Sequence, residues 1–293
     1  MKDIVIPECW EGLLKRINAN GISNIIMVIG AIDAGKSTLS QFLYRNLSTS
    51  SELAALIDAD LGQSVIGPPA TVGLSISKTS SSMLYPADMR FVGSTSPRAH
   101  MLQTIVAAKK LVEKAIEMKA KNIVIDTSGF IEGPIGQEFK FQKIDLISPT
   151  LVIALEKDKE FSALLKNISY RKGIEICRIK VSPESVKCKS PEIRKLHRRE
   201  RFKSYFEDSK LRFLSMGEIG LHGMIPNFKK KQNWLNLLIG LCDCDNNTLS
   251  LAIIKDIDLS EGLITFISPI KNLEDVRSIQ LGSIFMTQDG EEL

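Results

Sequence analysis

The sequence predicts an α/β fold in which a parallel sheet carries helices on both faces, with a small antiparallel β domain after it. Two observations carry this prediction. Up to about residue 210, apolar runs typical of buried strands alternate with segments whose apolar residues recur at helical spacing. Beyond that point, short apolar runs follow one another between turn signals. The predicted domains are therefore residues 1–210 and 211–293.

The individual elements follow from local patterns. In the first domain, strands are predicted at residues 25–29, 53–57, 71–77, 90–92, 122–125, 151–155 and 174–181. Helices are predicted over residues 8–18, from the end of the glycine loop to Leu47, over 98–119, and along the basic stretch that ends at Phe206. Alternation in 71–77 suggests an exposed strand or hairpin arm, and the glycines and proline of 133–136 suggest a mobile loop. In the second domain, strands are predicted at 235–242, 248–254, 263–267 and 278–286.

The composition is that of a soluble globular protein. The chain has 293 residues, 44% of them hydrophobic and 25% charged. No apolar run approaches the roughly 20 residues of a membrane span, and we expect no signal peptide, no membrane partner and no sizeable N-terminal domain. Five scattered cysteines predict a reduced, cytoplasmic setting. The oligomeric state stays open, and a monomer is compatible with the sequence.

The most informative stretch is Gly30–Thr38, which has the pattern G-x-x-x-x-G-K-S-T. An apolar strand precedes it and an amphipathic helix follows it, which is the context that a phosphate-binding loop needs. Backbone N–H groups and the positive end of the helix bind phosphates in such a loop, the lysine reaches the β- and γ-phosphates, and the serine ligates Mg²⁺. The sequence therefore predicts a P-loop NTPase-type sheet that binds a nucleoside triphosphate. Its predicted nucleotide-binding residues are Gly30, Ile32, Asp33, Ala34, Gly35, Lys36, Ser37 and Thr38.

Acidic residues follow two of the predicted strands. Asp58 and Asp60 lie at the end of one strand and Asp126 ends another. Ligands of open α/β sheets bind at this edge, so one of the first two acids could accept a proton from an attacking hydroxyl and either could hold Mg²⁺ through water. Asp126 resembles a Walker B aspartate. The predicted metal-site residues are Ser37, Asp60 and Asp126.

Two further patterns bear on ligands. No N-K-x-D guanine motif follows any strand, and the corresponding place holds residues 156–158 (E-K-D), which disfavours a GTPase. Eight lysines and arginines lie between residues 187 and 203. Such a run is usually a solvated helix face, but beside a nucleotide site it could also bind a polyanion or close over phosphates.

Several of these stretches together resemble one family, the polynucleotide 5′-hydroxyl kinases. The resemblance covers about residues 24–210, and the β-rich tail is also similar to that family's C-terminal domain. Its most specific element is the D-x-D-x-G-Q run at 58–63. The stretches that carry it are Gly30–Thr38, 58–63 with 67–69, 91–97, 126–129, and the arginine-rich segment that ends at Tyr205 and Phe206.

The resemblance implies a role for each matching residue. Lys36 and Ser37 would bind ATP and Mg²⁺, and Asp60 would activate the 5′-hydroxyl of RNA or DNA. Residues 127–130 match the family's T-x-G-W "clasp", which grips the nucleic acid. Arg194 and Arg198 match the R-x-x-x-R of its "lid", with Arg199 as the alternative second arginine. The implied catalytic residues are Lys36, Asp60, Arg194 and Arg198, and the implied substrate-binding residues are Asp58, Gln63, Thr127, Gly129 and Phe130.

The chain departs from the family pattern at two places. Phe130 stands where the clasp usually has tryptophan, and the N-terminal β domain of eukaryotic members, which contributes adenine contacts, has no counterpart. These departures affect base stacking and nucleobase selectivity. The alternatives are a P-loop kinase for a nucleoside or other small alcohol, and an ATP-bound scaffold in an RNA-processing complex.

Overall fold

A computed structural model describes residues 7–19, 23–49, 52–78, 84, 86–181, 188–227 and 230–293. The chain divides into two compact units that interleave along the sequence. The first comprises Met1–Asp60, Leu74–Ala87 and Ala108–Cys188, and the second comprises Leu61–Gly73, Asp88–Ala107 and Lys189–Leu293. The predicted contiguous domains, 1–210 and 211–293, stay a prediction.

Six helices occur in the described residues: α1 Glu8–Ala19, α2 Lys36–Leu47, α3 Met101–Glu117, α4 Gly133–Ile147, α5 Ser162–Ser169 and α6 Pro191–Phe206. The strands are β1 Asn24–Gly30, β2 Ala54–Ala59, β3 Thr71–Ser77, β4 Asp88–Phe91, β5 Asn122–Thr127, β6 Leu151–Glu156, β7 Glu175–Lys180, β8 Lys210–Ser215, β9 Gly220–Gly223, β10 Leu237–Cys242, β11 Thr248–Asp258, β12 Leu263–Ser268 and β13 Ser278–Phe285. Among the described helices, none is both long and apolar enough to cross a membrane.

The sheet of the first unit places the predicted acids. Its strands lie in the order β3-β2-β5-β1-β6-β7, and the pairs from β2 to β7 are parallel. Every residue of β2, β5 and β6 is buried, as expected for a sheet covered on both faces. The register pairs Asp126 on β5 with Asp58 on β2 and with Val28 on β1. The carboxyl edge of the sheet therefore brings the two acids side by side, about 4.8 Å apart from strand to strand.

The second unit contains a sheet in the order β8-β12-β11-β10-β13-β9, whose pairs are antiparallel except for β13 with β9. Its apolar core has two parts, and one of them includes Phe202 and Phe206 from α6 together with Phe91. The α/β fold with a second, antiparallel-rich sheet is confirmed. The strands β8 and β9 were absent from the sequence prediction.

Two local predictions are wrong. The segment 133–136 is no mobile loop but the start of α4, because Pro134 stands in the first turn, where its missing N–H costs nothing. Gly136 packs closely against the backbone of Ile131, where a Cβ would lie 2.5 Å from the carbonyl carbon. Residues 71–77 form no exposed arm, since five of the seven residues of β3 are buried. Lys187 of the basic run lies outside the described residues.

Candidate active site

The phosphate-binding loop connects β1 to α2. Asp33 and Gly35 adopt positive φ angles of 54° and 85°, so the chain curls tightly before the helix begins at Lys36. Gly35 caps α2, and as a glycine it has no side chain that could cap the first turn. The first N–H groups of a helix have no partner within the helix, and the helix dipole adds a positive potential at this end. This geometry suits a phosphate.

The Lys36 side chain folds back over the loop. Its Nζ donates a hydrogen bond of 2.7 Å to the Ala31 carbonyl oxygen, and the residue is buried. Burial lowers the pKa of Lys36, while the negative charges of Asp126, Asp60 and Asp33 oppose that shift. The ammonium group is thus held beside the acids before any phosphate is bound.

The two acids in register, Asp58 and Asp126, form the most desolvated part of the site. Burial, followed by repulsion from Asp58, raises the pKa of Asp126 to about 7, and the opposing causes are the Lys36 charge and a hydrogen bond from Ser37. The Asp126 Oδ1 atom has no hydrogen-bond partner among the described residues. A buried carboxylate oxygen beside a P-loop hydroxyl is an arrangement that a divalent cation would satisfy.

Asp60 lies just beyond the end of β2, so it does not share the strand geometry of Asp58. Its backbone N–H donates a hydrogen bond of 3.1 Å to Asp58 Oδ1. Asp58 is buried, whereas Asp60 is half-buried. The two acids of the D-x-D pair therefore differ, because Asp58 fixes the backbone and Asp60 presents the more accessible carboxylate.

The turn after β5 packs directly on the phosphate-binding loop. A Cβ added at Gly129 would lie 2.7 Å from the backbone nitrogen of Ile32, so only glycine permits this approach. The Thr127 hydroxyl donates to the Val28 carbonyl oxygen at 2.8 Å. Phe130 is half-buried, and its ring centroid lies 6.0 Å from that of Phe139, at an interplanar angle of 54°.

Two lysines of α4, which sequence reasoning missed, complete this environment. Lys140 and Lys143 are fully buried. Lys140 Nζ donates to Thr127 Oγ1 at 3.0 Å and to the Ser128 carbonyl oxygen at 2.5 Å. Lys143 Nζ lies 4.5 Å from the Phe139 ring centroid, and its nitrogen has no hydrogen-bond partner among the described residues.

Burial controls the protonation of both lysines. It lowers the pKa of Lys140 well below its usual range, with further lowering by the Lys143 charge. It lowers the pKa of Lys143 to about 8, against the attraction of Asp60 and Asp126. The signal that reveals them is helical spacing, because both belong to one buried stripe of α4: Gly136, Phe139, Lys140, Lys143, Ile144 and Ile147.

The predicted lid residues lie on α6 in the second unit. Arg194 and Arg198 are one helical turn apart and half-buried, whereas Arg199 is exposed. Arg198 Nε donates a hydrogen bond of 2.6 Å to Glu292 Oε1 near the end of the chain. Gln63 Nε2 donates to the Arg194 carbonyl oxygen at 3.3 Å. Within the first unit the fold thus gathers Lys36, Ser37, Asp58, Asp60 and Asp126, and within the second it places Gln63 beside α6.

Comparison with known proteins assigns the family. The family described as the mRNA cleavage and polyadenylation factor CLP1 P-loop matches residues 30–208, which include the phosphate-binding loop, the D-x-D-x-G-Q run, the turn after β5 and α6. The chain belongs to this family. The resemblance inferred from the motifs is confirmed.

Two relatives of known name match this chain over nearly their whole length. A polyribonucleotide 5′-hydroxyl-kinase of Methanocaldococcus jannaschii is 30% identical, with 92% of this chain and 88% of the relative covered. A protein of the same name from Thermococcus kodakarensis is 31% identical, with coverages of 98% and 95%. Among solved structures, the wild-type Clp1p–Pcf11p (454–563) complex contains a similar chain, with a TM-score of 0.71 at 11% identity over 97% of this chain and 80% of that one. That similarity supports the fold.

Proposed function

We propose that this protein is an ATP-dependent polynucleotide 5′-hydroxyl kinase, which transfers the γ-phosphate of ATP to the 5′-hydroxyl of RNA. The observation that carries the proposal is the convergence, in the first unit, of Lys36 and Ser37 with Asp60 and Asp126 at the carboxyl edge of the sheet. Relatives that match nearly the whole of this chain and bear the name polyribonucleotide 5′-hydroxyl-kinase support the choice of acceptor.

The nucleotide would bind at the loop between β1 and α2. The N–H groups at the start of α2 and the Lys36 ammonium would hold the β- and γ-phosphates. Mg²⁺ fits beside them, since Ser37 supplies a hydroxyl, Asp126 an unsatisfied buried oxygen, and Asp60 a nearby carboxylate. When bound, Mg²⁺ would neutralise charge on the phosphates. The remaining ligands of such a site are usually phosphate oxygens and water.

The chain's own residues can carry the transfer. Asp60 accepts the proton of the 5′-hydroxyl while the hydroxyl oxygen forms a bond to the γ-phosphorus. The bond between that phosphorus and the β–γ bridging oxygen breaks, and ADP leaves. Asp58 accepts the backbone N–H of Asp60 and so orients this base. Lys36 stabilises the charge on the transferring group. The reaction therefore needs positioning and charge neutralisation more than covalent chemistry.

We assign contacts to the polymer to the residues that match the family's clasp and lid. Thr127, Gly129 and Phe130 would grip the terminal nucleotides, with the Phe130 ring available for stacking on a base. Asp58 and Gln63 would contribute to substrate binding, and Arg194 and Arg198 would close over the phosphates. RNA is the acceptor that the names of the relatives favour, and DNA is the alternative to be tested.

The proposal is tested by incubating purified protein and Mg²⁺ with γ-³²P-labelled ATP and 5′-hydroxyl RNA and DNA oligonucleotides of equal sequence. A length series down to the nucleoside is included. We expect label at the 5′ end of RNA, with rates that rise with length. Lys36→Ala is expected to abolish transfer and weaken ATP binding, since the loop loses its lysine. Equal rates for nucleoside and polymer would identify a small-alcohol kinase, and ATP binding without transfer would identify a scaffold.

A further inference from the structure

A buried ammonium group in α4 connects three parts of the active site. Lys140 is fully buried, and its Nζ donates to Thr127 Oγ1 and to the Ser128 carbonyl oxygen, at 3.0 Å and 2.5 Å. The Thr127 hydroxyl in turn donates to the Val28 carbonyl oxygen at 2.8 Å. A single relay of hydrogen bonds therefore joins α4 to the end of β5 and to β1, the strand that leads into the phosphate-binding loop.

The segment held by this relay continues directly into the residue that packs against the phosphate-binding loop. Gly129, the next residue after Ser128, packs against the Ile32 backbone so closely that a Cβ would collide with it. The Phe130 ring then packs against the ring of Phe139, which belongs to the same buried stripe of α4 as Lys140. Fixing the Thr127 hydroxyl and the Ser128 carbonyl therefore also fixes where Gly129 and Phe130 lie.

The use of a charged group here needs an explanation, because an apolar side chain of the same length would fill the space without desolvating a charge. Burial does lower the pKa of Lys140. What an apolar chain cannot supply is two hydrogen bonds to adjacent residues of one turn. An ammonium group has three donors, and donors that carry charge make the stronger hydrogen bonds.

We propose that Lys140 is a positioning residue, whose ammonium group holds the turn Thr127–Gly129 against the phosphate-binding loop and thereby sets the place of the Phe130 ring. The first part concerns the fold of the turn alone. The second part, that this ring contacts the nucleic acid, rests on the proposed function. Lys140 touches neither ATP nor the acceptor in this role, and it acts through Thr127 and Ser128.

The first experiment measures amide hydrogen exchange in the segment 127–130 without substrates. In Lys140→Met, whose side chain has similar length and no donor, we expect exchange about tenfold faster, as the loss of a hydrogen bond to a charged group predicts. Lys143→Met is the matched control, because that lysine is equally buried but makes no hydrogen bond among the described residues. It should not accelerate exchange in this segment. Unchanged exchange in Lys140→Met, or equal acceleration in both variants, would overturn the proposal.

A second variant covers the case in which Lys140→Met does not fold. Thr127→Val removes the hydroxyl but neither volume nor charge, and it also breaks the relay. We expect it to accelerate exchange in 127–130 as well. Where both single variants fold, the acceleration in the double variant should be less than the product of the two single effects, because both changes remove the Lys140–Thr127 hydrogen bond and each also removes one bond of its own. Additive effects would refute the relay.

The last measurement separates positioning from general destabilisation. In Lys140→Met we expect KM for a 5′-hydroxyl RNA oligonucleotide to rise about tenfold, with the Kd for ATP within about threefold of the wild type, because α2 and its cap are intact. Equal losses for both substrates would indicate a merely structural role and overturn the inference. If the wild-type protein transfers no phosphate, the proposed function fails, and the exchange experiment still decides whether Lys140 holds the turn.

Discussion

The two units of this protein place acidic and basic side chains in different surroundings. In the first unit, Lys36, Asp58 and Asp126 are only 6%, 1% and 2% exposed. In the second, the side chains of Arg198 and Glu292 retain 20% and 25% exposure. Buried charges interact strongly and pay a large desolvation cost, whereas exposed pairs contribute little. The charges of the first unit are therefore held by a desolvated environment, whereas those of the α6 pair remain partly solvated.

This contrast also separates side chains that sequence alone treats as equivalent. Asp58 and Asp60 are two residues apart in one motif, yet only Asp58 is buried, and it is used to fix the backbone. Arg198 and Arg199 are adjacent, yet Arg198 pairs with Glu292 and Arg199 is exposed. Substitutions at these positions test whether the difference in burial determines the difference in role.

The largest expected effect is at Asp60. Asp60→Asn keeps the size of the side chain but removes the proton acceptor, so kcat should fall by about 10²–10⁴-fold with ATP affinity mostly preserved. The matched control is Asp58→Asn, which retains an oxygen able to accept the Asp60 N–H and should cost less. Steady-state kinetics with a 5′-hydroxyl RNA decides the matter. A greater loss in Asp58→Asn would reverse the two roles.

The next effect concerns the lid arginines. Arg194→Lys and Arg198→Lys keep the charge but lose the planar guanidinium, so each should lower kcat by about 10²-fold if the pair stabilises the transferring phosphoryl group. Arg199→Lys, on the exposed face, should be close to neutral. If lysine substitutes well and alanine variants instead raise KM for the oligonucleotide in a salt-dependent way, the arginines grip the backbone. A loss confined to Arg199→Lys would move the second lid arginine by one residue.

A smaller effect is expected at Phe130, which is half-buried. Stacking of a base on an aromatic ring contributes about 1–3 kcal/mol, so Phe130→Ala should raise KM for the oligonucleotide by about 5–150-fold and leave KM for ATP nearly unchanged. Phe130→Trp should be tolerated. For comparison, Phe139→Ala removes a buried ring and should lower stability by about 3–5 kcal/mol. Equal damage to both substrates by Phe130→Ala would mean that this ring is merely core.

The last effect is on stability, not on activity, and concerns Lys143. Its pKa in the folded protein is lowered to about 8 from 10.5, so burying the protonated form costs free energy below that pH. Lys143→Met should therefore raise the free energy of unfolding by about 3 kcal/mol at pH 7, and the gain should fade as pH rises from 8 towards 10.5. Urea denaturation at pH 7 and 9.5 measures this. A destabilised variant at pH 7 would mean that attraction to Asp60 and Asp126 outweighs burial.

Local sequence patterns are sufficient to predict the framework of the protein. The apolar runs at 25–29, 122–125 and 151–155 become β1, β5 and β6, because a strand buried on both faces must be apolar throughout. The phosphate-binding loop can also be predicted from the sequence, since its tight backbone turn needs glycine at a positive φ. Local steric and hydrophobic rules suffice for such features.

The differences in burial and in partners among the charged residues arise only from the tertiary structure. The register of β2 on β5 places Asp58 beside Asp126, and the end of β2 at Ala59 releases Asp60 from that strand. The pattern Gly133-Pro134 with Gly136 suggested a loop, and recognising it as the start of α4 depends on packing against Ile131. Lys140 and Lys143 then became buried because α4 packs that stripe inward, where hydrogen bonds and nearby acids compensate their charge. The spacing of residues along the chain cannot reveal such compensation, since the compensating partners lie on other elements. In addition, the solvent that would otherwise stabilise the charge is excluded only in the folded protein.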